Sequence, residues 1–250
     1  MPKLTIGYST LAERVKNIRL PLEKYEFLVL VQNPGKREYD AEKLKKRALV
    51  AEVSGKGVTK SRNRAIELTK TDYLIFGDDD VEFHPEKLNE AIAIMEADPQ
   101  LTLLLLAATD DKGRSRKQYP KKRERLTKLN SARAATYEML IRAPEVRRLR
   151  VKFDENFGAG AENYLGDEFI FIADLIDKGA KCEFAPIYVA SHPEESSGSR
   201  WGSDRDRQVR ARIFTRVFGI WAPLVRLAFG LRRRAELGGT KNVLKFVLGR

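Results

Sequence analysis

The chain has 250 residues, 42% hydrophobic and 33% charged, an ordinary globular composition with enough apolar content for one large domain or two small ones. Cys182 is the only cysteine, which excludes an internal disulfide, and the opening MPKLTIGYST lacks the charged-then-apolar pattern of a secretory leader, so a cytosolic protein is expected. With 47 Lys and Arg against 35 Asp and Glu the net charge is +12, which asks for an anionic partner: nucleic acid, phospholipid or a phosphorylated small molecule.

KLTIGYST (3–10) and YEFLVLVQ (25–32) read as short strands, the second ended by the turn signal NPG. LAERVKNIRLPLEKY between them has helical spacing, so the chain opens β-α-β. ALVAEVSGKGV adds a strand, and TKSRNRAIELTK a helix with Thr59 or Ser61 as its N-cap. DYLIFG is the next strand and runs straight into Asp78, Asp79 and Asp80. HPEKLNEAIAIMEADP follows as a helix with Pro85 at its start and Glu86 in its first turn.

LTLLLLAAT (101–109) is apolar throughout, as expected of a strand covered on both faces. The rhythm then changes: a basic loop (112–128), a strand in ARAATYEMLIRA, a Gly-rich piece FDENFGAGAENYLG, a helix DEFIFIADLIDKG and a strand KCEFAPIYVASH. Regular alternation followed by an irregular half implies a mostly parallel nucleotide-binding-like sheet with helices on both faces, extended by an acceptor-binding part.

Three adjacent carboxylates at the end of a buried strand need a reason. In open α/β sheets ligands bind beyond the carboxyl ends of the strands, and a divalent cation there removes the repulsion within the triplet. The plainer alternative is a solvated acidic turn favoured by the following helix N-terminus. Upstream, GKGVTKSRNRA (55–65) brings two glycines, a serine and an Arg-Asn to a helix start, where backbone N–H groups and a guanidinium meet a phosphate or a base.

Taken in order, SRN (61–63), DDD (78–80), GDE (166–168) and APIYVASH ending at His192 resemble the family 2 glycosyltransferases with the GT-A fold, and the stretch 153–186 looks especially like bacterial polysaccharide glycosyltransferases. The resemblance covers roughly residues 3 to 195. It implies a catalytic domain over 1–198, with a nucleotide-sugar half at about 1–110 and an acceptor half at about 111–198. It further implies transfer, by an inverting mechanism, from a nucleotide diphosphate sugar to a glycan or lipid-linked hydroxyl. Mn²⁺ or Mg²⁺ would be held by Asp78, Asp80 and His192, although His192 also reads as a polar residue satisfied at a strand end. Ser9, Thr10, Asn33, Lys60, Arg62, Asn63, Asp78 and Asp79 would contact the nucleotide sugar. The general base is expected at Glu168, or at Asp167 if the register is off by one. Many relatives carry an aspartate after the second strand that reads uracil; here Gln32 and Asn33 stand in that neighbourhood, so UDP-sugar is the default donor with GDP- and dTDP-sugars open.

Residues 199–250 form a basic tail: from Arg200 to Arg250 thirteen Lys and Arg face only Asp204, Asp206 and Glu236, a surplus of ten out of the total +12. The apolar run Ile213–Leu231 approaches the length of a membrane span, but Arg216, Arg226 and Pro223 interrupt it, and each arginine would cost roughly 2.5 to 3.5 kcal/mol inside a bilayer. A peripheral helix over 210–234 at the inner face of the cell membrane is expected instead, with Phe214, Phe218, Trp221 and Phe229 entering the headgroup boundary. The competing arrangement is a helix pair packed on the catalytic domain or on a second copy in a homo-oligomer. Two rivals from other classes are weaker. A nucleic-acid binder is suggested by the charge and by Lys121, Lys122 and Arg123, but no binding motif accompanies them. A nucleotidyltransferase would carry a Gly-rich basic loop after the first strand, where GYSTLAER has only Gly7.

Overall fold

The computed structural model describes residues 2–22, 25–33, 35–193 and 203–249. Pro34 of the expected NPG turn and the expected boundary at 198/199 lie outside them. In chain order the elements are β1 (Leu4–Leu11), β2 (Glu26–Gln32), α1 (Glu42–Lys45), β3 (Leu49–Val53), α2 (Val58–Leu68), β4 (Tyr73–Asp78), β5 (Glu82–Phe83), α3 (Pro85–Ala97) and β6 (Leu101–Thr109). They continue with β7 (Glu124–Arg125), β8 (Met139–Arg142), α4 (Ala143–Leu149), α5 (Asp167–Asp177), β9 (Lys181–Ser191), α6 (Asp204–Phe218), α7 (Ala222–Arg232) and α8 (Thr240–Val247).

The strands form one sheet in the order β3-β2-β1-β4-β8-β6-β9-β5, with β7 also on β9. The block β3-β2-β1-β4 is parallel, β8 runs antiparallel between β4 and β6, and β9 is parallel to β6. Strand β6 shows why its sequence is apolar throughout. Leu104, Leu106 and Ala108 join a cluster with Leu88 and Met95 of α3, while Leu103, Leu105 and Ala107 point the other way, into a cluster with Phe171 and Leu175 of α5. Side chains alternate across a strand, and here both faces are covered.

Three local expectations are corrected. The segment between β1 and β2 is helical only as a 3-10 turn, Ala12–Asn17; Pro21 cannot continue a helix, and Ala12, Val15 and Ile18 already bury the apolar side. Helix α2 is capped by Gly57, two residues before Thr59 and four before Ser61, where the Val58 N–H donates to the Ala159 carbonyl at 3.0 Å. The strand read in ARAATYEMLIRA is confined to β8. Its first half is pulled into a 3-10 turn, Thr136–Glu138, where the fully buried Glu138 carboxylate accepts from the Ala135 N–H at 3.0 Å, Lys117 Nζ at 2.9 Å and the Tyr119 hydroxyl at 2.5 Å.

The tail packs inward. Val209, Ile213 and Val217 of α6 lie on Phe169, Ile170 and Ala173 of α5. At Gly166 (φ 88°) a Cβ would sit 2.4 Å from Ile213 Cδ1, so only glycine allows this approach. Arg216 forks between Asp154 at 2.9 Å and Asp174 at 2.8 Å, tying α6 to α5 and to the segment before it. Phe214, Phe218 and Phe229, expected at a headgroup boundary, face one another instead: Phe214 lies 5.7 Å from Phe218 and 5.0 Å from Phe229, and Phe246 closes the cluster. Helices that fold back on each other need a core of their own, and these rings fill it. Of the four expected aromatics, Trp221 is the exposed one.

Candidate active site

A cleft of about 1390 Å³ opens beyond the carboxyl ends of β1 and β4, against α2, α5 and the turn before β8. That exceeds the roughly 300–1,000 Å³ of a pocket for one small ligand, so it has room for more than one.

The triplet Asp78-Asp79-Asp80 is split three ways, each carboxylate facing a cation. Asp78 ends β4 beside Ser9 of β1, with Oδ1 3.7 Å from Arg62 Nη2. Asp79 turns inward, where the Thr10 hydroxyl donates to it at 2.6 Å and Arg14 pairs with it at 2.5 Å. Asp80 lies between Arg14 at 3.1 Å and His192 Nε2 at 3.3 Å. Burial raises the Asp78 and Asp79 carboxyls above their ordinary range, Arg62 opposing it at the first and Thr10 with Arg14 at the second. Asp80 is lowered, chiefly by its hydrogen bond with His192, so it is the most firmly anionic of the three. His192 stacks on Tyr137, centroids 4.9 Å apart at 12°. Burial pulls its imidazole down, but the bonds to Asp80 and the Pro193 carbonyl outweigh that and leave it raised.

Among the described residues no three His, Cys, Asp or Glu side chains converge into a metal cage. Asp80 and His192 supply two donors on one side of the cleft. That suits a hard divalent ion which is held by one or two carboxylates and takes its other ligands from substrate phosphates and water.

Arg62 connects the triplet to the second acidic pair. Its guanidinium, buried over the Phe153 ring, pairs through Nη1 with Asp167 and, at 3.5 Å, with Glu168, while Nη2 faces Asp78. Asp167 and Glu168 open α5, where the positive helix end favours anions. Their environments differ. Asp167 is buried, and burial first, then the neighbouring Glu168, pushes its carboxyl up to about 7 against the pull of Arg62. Gly158 allows this placement: its φ is 95°, and a Cβ there would meet Asp167 Cγ at 2.8 Å. For Glu168, burial is outweighed by Arg62 and by the Thr136 hydroxyl donating at 2.6 Å, so its carboxyl is lowered; its side chain keeps 20% exposure to the cleft. Of the pair, Asp167 is therefore the acid that takes up a proton first, and Glu168 the one that stays anionic as pH falls.

This has a consequence for stability. A carboxyl raised on folding binds a proton that the unfolded chain has released, so its contribution is complete below about pH 4 and is lost as pH rises through about 7. Urea unfolding at pH 5 and pH 8 is expected to show wild type losing of order 1 kcal/mol more than Asp167→Asn over that interval. Equal losses in the two proteins would mean that Asp167 is ionised throughout.

Of the residues expected to meet substrate or metal, Ser9, Thr10, Arg62, Asp78, Asp79, Asp80, Asp167, Glu168 and His192 line this one cleft. Asn33, Lys60 and Asn63 do not. The Asn33 amide closes a turn by bonding Arg37 at both its oxygen and its nitrogen, and Asn63 clamps the Phe153 backbone in the same two-handed way, so both are occupied structurally. Gln32 lines the cleft, its Oε1 accepting from the Gly57 N–H at 2.9 Å. Sequence reasoning missed Arg14, Thr136 and Tyr137. Arg14 lay in an apparent helix and the other two in an apparent strand, so nothing local marked them.

The sequence profile described as glycosyl transferase family 2 matches residues 8–158. No curated protein matches. Among solved structures, S. aureus TarS 1-349 in complex with UDP aligns at a TM-score of 0.62 and 15% identity, over 93% of this chain and 72% of that one. The same protein in complex with UDP-GlcNAc aligns at 0.59 and 15%, over 98% and 81%. A mycobacterial protein aligns at 0.57 and 15%, over 86% and 75%. At such identity these structures establish the shared fold.

Proposed function

The chain belongs to glycosyl transferase family 2, and from that membership we propose that it moves a sugar from a nucleotide diphosphate sugar to a hydroxyl of a glycan or lipid-linked acceptor, with inversion, on the cytosolic side of the membrane. The observation that carries the reading is the pairing, in one cleft, of an anionic Asp80 beside His192 with a cleft-facing Glu168 carboxylate, the two ends joined through Arg62.

Asp80, with His192 and the neighbouring Asp78, would hold Mn²⁺ or Mg²⁺. When bound, such an ion neutralises charge developing on the departing diphosphate. Glu168 takes the proton of the acceptor hydroxyl as its oxygen attacks the anomeric carbon from the side opposite the leaving group. Thr136 and Arg62 hold that carboxylate in position and keep it anionic, while Asp167 is the acid of the pair that takes up a proton first. Gln32 offers its amide N–H group to a base carbonyl, its oxygen being engaged by Gly57. UDP and UDP-GlcNAc occupy the TarS structures, which makes a UDP-sugar the first donor to try, ahead of GDP- and dTDP-sugars. Nucleic acid is not an expected partner, since Asp78, Asp79, Asp80 and Glu168 line the cleft and repel any phosphate that arrives without a metal.

The test is calorimetric titration of UDP-, GDP- and dTDP-sugars with and without Mn²⁺. Wild type is expected to bind one nucleotide class in a metal-dependent way, and Asp80→Ala to weaken the metal-dependent part by about tenfold or more. If a folded Asp80→Ala protein bound the donor with unchanged metal dependence, the triplet would serve the fold alone.

A further inference from the structure

The outer side of α7 is apolar where solvent should favour polar residues. Ile220, Leu224, Leu227 and Leu231 recur at the spacing of one helical face and are 88%, 61%, 43% and 59% exposed, with Trp221 beside them at 63%. The opposite side, with Ala222, Arg226 and Gly230 buried, packs on α6 and α8. A run of large apolar side chains facing solvent along a whole helix marks an interaction surface.

What covers it follows from charge. The stripe ends in Arg232, Arg233 and Arg234; Arg233 pairs with Glu236, while Arg232 and Arg234 have no ion-pair partner among the described residues. Helix α8 adds Leu244 and, just past its end, Leu248, both exposed, in sequence with Lys241 and Lys245. A second copy would set its own Arg232 and Arg234 against these two. An anionic bilayer brings the complement: acyl chains for the leucines and Trp221, phosphate headgroups for the arginines.

Crossing the bilayer is a different matter. Asp204–Arg232 is long and apolar enough by length and composition, a criterion that core helices also pass. The segment is broken at Gly219–Trp221, its α6 portion is packed on α5, and Arg226 is buried with its guanidinium toward the Ala211 carbonyl.

We propose that the outer face of α7 and of the Gly219–Trp221 turn before it, from Ile220 to Leu231 with the arginines that follow, docks flat on an anionic phospholipid surface. Arg233 also lines the cleft, so docking sets the cleft mouth beside the membrane. The surface does not depend on the transfer reading, and its test does not measure transfer.

Full-length protein is sedimented with phosphatidylcholine vesicles, with and without phosphatidylglycerol, at low and high salt. Trp221 emission is followed in a Trp201→Phe background, since these are the two tryptophans. Binding is expected only to the anionic vesicles and to weaken with salt, with a blue shift of Trp221. The double variant Leu224→Glu/Leu227→Glu, altered only at exposed positions, should keep its melting temperature and partition at least about tenfold less. No binding to anionic vesicles at low salt, or equal binding by the variant, overturns the proposal. A concentration-dependent dimer that the same variant abolishes, without vesicle binding, overturns it in favour of a second copy.

Discussion

Replacing Glu168 by Gln is expected to lower turnover by about 10²-fold or more while donor affinity stays close to that of wild type. A general base acts on the acceptor, so its loss should appear in kcat and not in binding of the nucleotide sugar. The amide keeps the shape and still accepts from the Thr136 hydroxyl, but it cannot take a proton. Asp167→Asn separates the two acids. Asp167, at the cleft wall but only 3% exposed, is the acid raised by burial and it pairs with Arg62, so its amide variant should lose far less activity. A reversed order, with Asp167→Asn the more damaged, would move the base by one residue; full activity in both would remove this pair from the chemistry.

The sequence made the donor end of the site readable because it is local. Three like charges closing an apolar strand are an anomaly within a few residues, and Asp78, Asp79 and Asp80 lie at the carboxyl end of the interior strand β4, where ligands bind in such sheets. The family resemblance, drawn on SRN, DDD, GDE and the approach to His192, agrees with the profile match over 8–158. What stayed hidden depends on contacts between distant parts of the chain. Arg14 meets Asp79 and Asp80 more than sixty residues away, and no spacing rule ties them. Asn63 looked like a ligand-facing side chain because it follows Arg62, yet one helical position is enough to turn it from the cleft to the Phe153 backbone. The tail was ambiguous for a physical reason: apolar residues at helical spacing serve a membrane and a helix-helix core equally well. Only the break at Gly219 decides that Phe214 and Phe229 meet each other while Leu224 and Leu227 stay outside.

Removing the Arg62 charge is expected to cost folding stability as well as function. A nucleotide contact alone would predict a change within about 0.5 kcal/mol in the free protein, the usual range for a surface residue. Arg62, however, is 5% exposed and faces Asp78, Asp167 and Glu168 at once; their combined field outweighs its burial and holds the guanidinium charged. Substituting Met keeps much of the volume over Phe153 and leaves Asp78, Glu168 and, above about pH 7, an ionised Asp167 without their shared cation, the situation that costs about 3 to 5 kcal/mol when a buried pair loses one partner. Lys restores a charge but not the fork that reaches both sides, so Arg62→Lys should fall between. The pH dependence separates this cause from a packing defect. Carboxylates left without Arg62 gain most from protonation, so the deficit of Arg62→Met against wild type should shrink between pH 8 and pH 5, and Arg62→Met/Asp167→Asn should recover part of it at pH 8. Urea unfolding of the four proteins at both pH values measures this directly. A deficit that is independent of pH and unrelieved by the second substitution would place the role of Arg62 in packing against Phe153, and its three ion pairs would then contribute little to holding the two ends of the cleft together.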